Sequence, residues 1–446
     1  MTRRLSVLAL VAAVAGCLLV TSGTTWGAVA HSTTSPVVEI TQDARISDGP
    51  TVVVTPAGTA IAVWIERSQR VMASSRSVGT PSWSVPVTVA NNGFYANVAT
   101  YGSDSAVITW QGFDKNSDAV IRARTVHNGV TWGQRDLVSR WVRHGGVPVA
   151  LTVAANDDGK TLIAWTRRDK VRAAYGTVGG TWSEPHTFRD IDSYSYDAVA
   201  NVRPSGEADL VFPANRSGRL STLRAYHMNT SKEWQGETVA KFATGLHASG
   251  KTFDVAINSR GDAVATWMRR SRQAQSFGIH ASYRSAEGTF STPRLIATGA
   301  HTPVAAIDRA GAASVAFLET RDSATATLFA YRSSSGYWTR PAQLSTVDTS
   351  TAAYPAVDLA VNSSGDFFVQ SQGQHAAAGV NVLDHRLTHC VSGVCGADQV
   401  VKGPRGDQSP TVAVRPAGAV DVVWTFGCAT EECIPTGIRA VRFHAR

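Results

Sequence analysis

Short runs of β-branched and small apolar residues recur along the chain, each halting at a glycine and returning into a second run that ends on an aromatic. Thr51-Val52-Val53-Val54-Thr55-Pro56-Ala57-Gly58 near one end is matched by Thr411-Val412-Ala413-Val414-Arg415-Pro416-Ala417-Gly418 near the other. Six residues after each glycine stands a tryptophan, Trp64 or Trp424. The same interval joins Gly159 to Trp165, Gly206 to Phe212, Gly261 to Trp267 and Gly311 to Phe317. Two further copies are degenerate: Asp104 stands where the glycine belongs before Trp110, and Ser371 replaces the aromatic after Gly365. Eight anchors between 58 and 418 give a mean spacing of about 51 residues, the length of a four-stranded propeller blade.

Each copy predicts the same strands. Proline or asparagine presets the first turn and glycine takes the positive-φ position that closes it. The returning strand, such as Ala60 to Trp64, is apolar on both faces, as a strand sandwiched between neighbouring blades must be. A third strand follows (Val71-Met72-Ala73, Val171-Arg172-Ala173), then a second hairpin with an aromatic-Ser/Thr-x-Pro signature. That signature reads Trp83-Ser84-Val85-Pro86, Trp182-Ser183-Glu184-Pro185, Phe290-Ser291-Thr292-Pro293 and Trp338-Thr339-Arg340-Pro341. Recurrence at one blade position assigns these rings to packing. The last copy ends at its third strand near Phe443, and Ser35-Pro36-Val37-Val38-Glu39-Ile40 resembles a fourth strand. The chain is therefore expected to be all-β: an eight-bladed β-propeller over residues 31–446, closed by an N-terminal strand completing the last blade.

Composition fits one large packed domain: 446 residues, 43% hydrophobic and 17% charged, which excludes a disordered chain. Residues 1–30 read as a secretory signal, with Arg3 and Arg4 before an apolar run and Ala28-Val29-Ala30 at the cleavage point. The competing reading is a lipid anchor on Cys17, in Val14-Ala15-Gly16-Cys17. Four cysteines remain, suiting an oxidising compartment. Cys390 with Cys395 and Cys428 with Cys433 make the simplest pairing, each loop contributing on the order of 2 kcal/mol; the two bridges would flank the closure and oppose its opening. Zinc is the competing reading of the four. No later apolar run is long enough to span a membrane.

Arg45-Ile46-Ser47, then Val53 to Thr59 and Glu66-Arg67, resembles the first-blade entry of bacterial sialidases, with its arginine-isoleucine-proline motif. Thr125-Val126-His127-Asn128-Gly129-Val130-Thr131-Trp132 is similar to the Asp-box (BNR) repeats of that family, with His127 at the aspartate position. The resemblance implies a sialidase-like propeller with Arg45 as a carboxylate binder. Departures are clear: sialidases have six blades, their motif proline is Ser47 here, Asp48 to Pro50 intrudes, and no aspartate lies between Asp48 and Asp104 to act as acid/base.

No nucleophile elbow, P-loop, zincin or EF-hand pattern is present. No metal site or cofactor is expected: His385 and His389 lie about 13 Å apart along a strand. In a propeller, the loops between strands 2 and 3 share one face with the connections between blades. On that face Arg167, Arg168, Arg216, Arg219, Arg269, Arg270 and Arg272 gather in copies three to five. Trp141, Tyr194 and Tyr196 lie on the connections. Arginines and aromatic rings together suit an anionic glycan or acidic polymer, through bidentate bonds and stacking. The net charge of +8, less Arg3 and Arg4, leaves about +6, too little to favour nucleic acid in an exported protein. The expected function is thus non-catalytic binding of a carbohydrate or other anionic surface polymer. The alternatives are a sialidase-like exo-glycosidase with a diverged site and a protein-interaction scaffold.

Overall fold

Alternating apolar strands separated by glycine turns fold, in the computed structural model, into eight antiparallel sheets. The structure describes residues 35–41, 45–141, 150–167, 170–188, 198–216, 219–241, 252–270, 276–348, 356–377, 380–402, 408–416, 418–426 and 437–444, among which there is no helix. Blade 1 comprises Ile46–Val54, Ala60–Glu66, Val71–Arg76 and Val87–Ala90, from the axis outward. Blade 2 is Phe94–Tyr101, Ser105–Phe113, Ala119–His127 and Thr131–Trp141; blade 3 is Ala150–Ala155, Lys160–Arg167, Lys170–Thr177 and His186–Phe188. Blade 4 is Val199–Val202, Ala208–Arg216, Arg219–Met228 and Trp234–Lys241; blade 5 is Phe253–Ile257, Ala263–Arg270, Phe277–Arg284 and Arg294–Thr298. Blade 6 is Ala300–Ile307, Ala313–Arg321, Ala324–Arg332 and Ala342–Asp348; blade 7 is Asp358–Val361, Phe367–Ala377, Val380–Val391 and Gln399–Lys402, with Val394–Cys395 as an extra short strand. In blade 8, Gln408–Val414, Val420–Phe426 and Gly437–Phe443 are completed by Val38–Thr41.

The first strands of the eight blades touch in cyclic order, blade 8 meeting blade 1, so the ring is closed. The closing strand pairs antiparallel with Gly437–Phe443, Val38 opposite Ala440 and Glu39 opposite Arg439. Arg439 Nη2 lies 2.6 Å from Glu39 Oε1, and the Ser35 N–H donates to the Arg442 carbonyl at 2.8 Å.

The core lies between blades. Val71, Val89 and Trp110 belong to one cluster joining blades 1 and 2; Leu162, Phe188 and Phe212 join blades 3 and 4; Ile46, Trp64, Val423 and Ile438 join blades 8 and 1. Trp64, Trp165, Trp267 and Trp424, set by the glycine-to-aromatic interval, and Trp110, six residues after Asp104, are fully buried. The anchor glycines adopt φ between 75° and 94° at Gly58, Gly159, Gly206, Gly261, Gly311, Gly365 and Gly418, where a side chain would be strained. The turns also tie blade to blade: Asn156 Nδ2 donates to the Arg203 carbonyl, and Asn258 Nδ2 to the Asp308 carbonyl, both at 2.9 Å. On the innermost strands, Asp254 accepts from the Ala305 N–H and Asp358 from the Val412 N–H, at 2.9 and 3.0 Å.

Asp48 to Pro50, the stretch that breaks the sialidase-like motif, is a bulge in the first strand of blade 1; blades 2, 6 and 8 carry one at the same place. Cys390 and Cys395 form a disulfide, while Cys428 and Cys433 lie outside the described residues, as do Cys17 and the rest of residues 1–30, expected as a secretory signal. The bridge joins two strands within blade 7, so it braces a hairpin and not the closure between blades 8 and 1. Among the described residues no helix is long and apolar enough to cross a membrane.

Candidate functional site

Antiparallel blades divide the loops between two faces. The 2–3 hairpins and blade connections lie on one, the crossover face; the glycine turns and the 3–4 hairpins lie on the other, the turn face. On the crossover face, Arg167 pairs with Lys170 at the end of a hairpin, Arg216 with Arg219, and Arg269 and Arg270 with Gly278 and Phe277. These ends belong to three consecutive blades, as the sequence led one to expect, and Arg269 is exposed. Arg168, Arg272, Tyr194 and Tyr196 lie outside the described residues. Trp141 does not belong to a binding surface: it is 8% exposed, ring-stacked on Trp165 with centroids 6.4 Å apart, inside the core of blades 2 and 3. An aromatic at the end of an outer strand is covered here because the next blade packs against it. Arg45 is exposed just before the first strand of blade 1, its carbonyl accepting from the Arg67 N–H at 2.6 Å. His385 is buried against Trp424 and His389 stacks on Phe368, each engaged with a separate ring. Among the described residues no group of three or more His, Cys, Asp or Glu could hold a metal ion.

A cleft of about 680 Å³ opens on the turn face, between the outer halves of blades 3 and 4. One wall is the blade 3 hairpin, and its shape follows from three residues. Ser183 explains the Ser/Thr of the repeated signature: its N–H donates to the Tyr175 carbonyl at 2.8 Å and its Oγ accepts from the Tyr175 N–H at 3.1 Å. Ser291 with Tyr283 and Thr339 with Tyr331 repeat this staple in blades 5 and 6. Gly176 lets Trp182 lie across the strand, since a Cβ at 176 would sit 2.7 Å from Trp182 Cε3. Gly179, at φ 73°, turns the chain between them.

The other wall is the blade 4 hairpin, held by Asn229, whose side-chain oxygen accepts from the Glu233 N–H at 2.9 Å. It presents Lys232 and Trp234. The Lys232 ammonium stands 3.6 Å from the centre of the Tyr175 ring, a cation–π contact between blades. Trp234 meets His186 at 5.9 Å and Phe188 at 5.2 Å between centroids. Met228 and Ala173 are buried at the base, and the Tyr175 hydroxyl donates to the Gly206 carbonyl at 2.9 Å.

The lining therefore combines the half-buried rings of Tyr175 and Trp234 with the exposed polar groups Glu184, His186, Lys232 and Thr177. Burial pushes the His186 imidazole below its ordinary value, so at neutral pH it offers one ring N–H and one acceptor nitrogen. Burial, and then the neighbouring Lys160, lower the Lys232 ammonium; burial raises the Tyr175 hydroxyl. Glu184 is the one carboxylate among the described residues lining the cleft. Flat hydrophobic faces ringed by hydrogen-bonding groups suit a pyranose, whose C–H face stacks while its hydroxyls bond outward. Sequence reasoning placed Trp182 in the packing; it packs against the core of blades 2 and 3 and also lines this cleft.

No protein-family model and no curated protein sequence matches the chain. Solved structures share its architecture. The BP39L lectin from Burkholderia pseudomallei superposes with a TM-score of 0.52 at 13% identity, over 80% of this chain and 99% of that one. The polysaccharide lyase Uly1 gives 0.51 at 10% identity, over 93% of this chain and all of that one. At such identities the likeness is one of fold.

Proposed function

We propose that this chain is a secreted, non-catalytic glycan-binding propeller and that one sugar unit sits in the cleft between blades 3 and 4. The observation that carries the reading is the pair of half-buried rings, Tyr175 and Trp234, beside Lys232, Glu184 and His186 in one cleft of ligand size. The names of the two compared propellers, a lectin and a polysaccharide lyase, are in keeping with a glycan partner. Lys232 favours an acidic glycan. The arginine-bearing hairpin ends of blades 3 to 5, on the opposite face, give a long polymer a second place to rest. Hydrolysis by the usual carboxylate pair needs two acids facing one bond, and Glu184 stands without a second carboxylate among the described lining residues.

A glycan array probed with the mature chain, followed by titration of the best oligosaccharide, tests this. Trp234→Ala removes one stacking surface and, in a variant shown by circular dichroism to remain folded, is expected to weaken binding at least tenfold, about 1.4 kcal/mol or more. Equal affinity in the variant would place the sugar elsewhere. Turnover of fluorogenic glycosides abolished by Arg45→Ala would replace the reading with the sialidase-like one.

A further inference from the structure

Two buried ion clusters lie on the turn face, four blades apart, and they are built to one plan. Between blades 4 and 5, Arg203 opens an Arg-Pro-Ser-Gly turn and donates from Nε to Asp209 Oδ2 at 3.1 Å. Arg284, at the end of the third strand of blade 5, donates to Asp209 Oδ1 at 2.8 Å. Between blades 8 and 1, Arg415 opens an Arg-Pro-Ala-Gly turn and donates from Nε to Asp421 Oδ2 at 2.7 Å. Arg76, at the end of the third strand of blade 1, pairs with Asp421 Oδ1. Even the ring near the outer arginine repeats: Phe290 lies 5.2 Å from Arg284 and Trp83 lies 5.2 Å from Arg76.

The charges do not repeat. Around Asp209, Glu207 lies 3.4 Å from Arg203, Glu237 lies 3.7 Å from Arg284, and His227 stands opposite Asp209 across the strands. In the second cluster, Ala419 takes the place of Glu207, two residues before the aspartate in both cases. Val38, paired with Ala440, takes the place of Glu237, paired with Ala225. Opposite Asp421 stands a third arginine, Arg442, whose Nε donates to Asp421 Oδ1 at 3.1 Å.

Three guanidiniums thus share a single carboxylate, and all three are buried: Arg76 is 1%, Arg415 5% and Arg442 8% exposed. Arg415 Nη2 also donates to the Arg76 carbonyl at 3.4 Å, but Arg76 Nε and Arg442 Nη2 are buried with no acceptor. Arg284 Nε of the first cluster is also buried without an acceptor, so what sets this cluster apart is the orphaned Arg442 Nη2 and a surplus of two positive charges, which together call for an anion. The surplus persists at neutral pH. Burial, then Arg442 and Arg415, lower Arg76 only to about 9, and burial, then Arg442, lower Arg415 only to about 10.

We propose that the cluster between blades 8 and 1 is an anion site, occupied by one compact inorganic anion of chloride size held by Arg76 Nε and Arg442 Nη2. A sugar acid is too large for groups so deeply covered, so this site is separate from the glycan cleft. It would complete the seam where the two ends of the chain meet.

The mature chain, exchanged into sodium gluconate, is titrated with sodium chloride at constant total sodium. Its unfolding temperature is expected to rise saturably, by roughly 2–4 °C. Ala419→Glu restores the acid that the other cluster possesses and should abolish that rise. Crystals grown in bromide should show an anomalous peak beside Arg76 and Arg442 and none beside Asp209. A wild-type melting curve indifferent to chloride, or bromide crystals without that peak, overturns the proposal; the crystals decide the matter even if the variant does not fold.

Discussion

His186, His280 and His301 occupy different blades, yet burial lowers each imidazole below its ordinary value of about 6.5. For His280 the nearby Arg269 adds to the effect. The unfolded chain binds protons near pH 6.5 that the folded chain refuses. These three groups therefore contribute no penalty above about pH 6.5, and destabilise the fold as pH falls from there toward their folded values. Thermal unfolding at pH 5.5 is expected at a lower temperature than at pH 7.5; a higher one would contradict the assignment. Asp209 does not blur this window. Although burial alone would raise its carboxyl, the hydrogen bond from His227 and the charges of Arg284 and Arg203 hold it well below the carboxylate range. Its contribution is present above about pH 4 and is lost only in stronger acid. At the same scale, the role of Trp182 shows the limit of reading single positions. The signature puts Trp83 and Trp182 at one place in the blade, and Trp83 is 8% exposed whereas Trp182 is half-buried. What covers such a ring comes from the preceding blade of the ring, blade 8 for Trp83 and blade 2 for Trp182, and no local pattern records it.

Strands were the most legible elements because each carries its own physics. A glycine that must take positive φ, six residues before a ring that must be buried, marks the first hairpin of a blade unambiguously. Even the degenerate blade 2 kept its turn: Gly102 adopts φ 57° two residues before Asp104, and Asp104 accepts from the Thr55 hydroxyl of blade 1 at 2.7 Å. The closing strand was legible through its likeness to other fourth strands, and its register now gives it a measurable task. Removing residues 35–41 would uncover the edge of Gly437–Phe443 and the buried Ile40 contact. The shortened chain is expected to melt at least 5 °C lower, on the order of 4 kcal/mol or more at this size, and to self-associate in light scattering. An unchanged melting temperature in a monomeric product would show that the strand contributes nothing to closure. The disulfide reading was right in its pairing of Cys390 with Cys395, a local bridge within one hairpin of blade 7, while its second pair, Cys428 with Cys433, lies outside the described residues.

For the whole molecule, the ring organises what can be bound and where. Eight blades place every 2–3 hairpin on one face and every 3–4 hairpin on the other, so charge and aromatic rings that are scattered in sequence are sorted by strand parity. The basic hairpin ends of blades 3 to 5 were readable because they follow directly from that sorting. The cleft between blades 3 and 4 was not, since it needs Tyr175 and Lys232 from two blades to meet at 3.6 Å and Gly176 to admit Trp182. Its assignment as the sugar site is the claim on which the functional account stands. A crystal structure of residues 31–446 soaked with the strongest oligosaccharide from the array tests it most directly. Density for a sugar ring stacked on Trp234, within hydrogen-bond reach of Lys232 or Glu184, is the result the account predicts; sugar bound only on the crossover face, with this cleft unfilled, would contradict it.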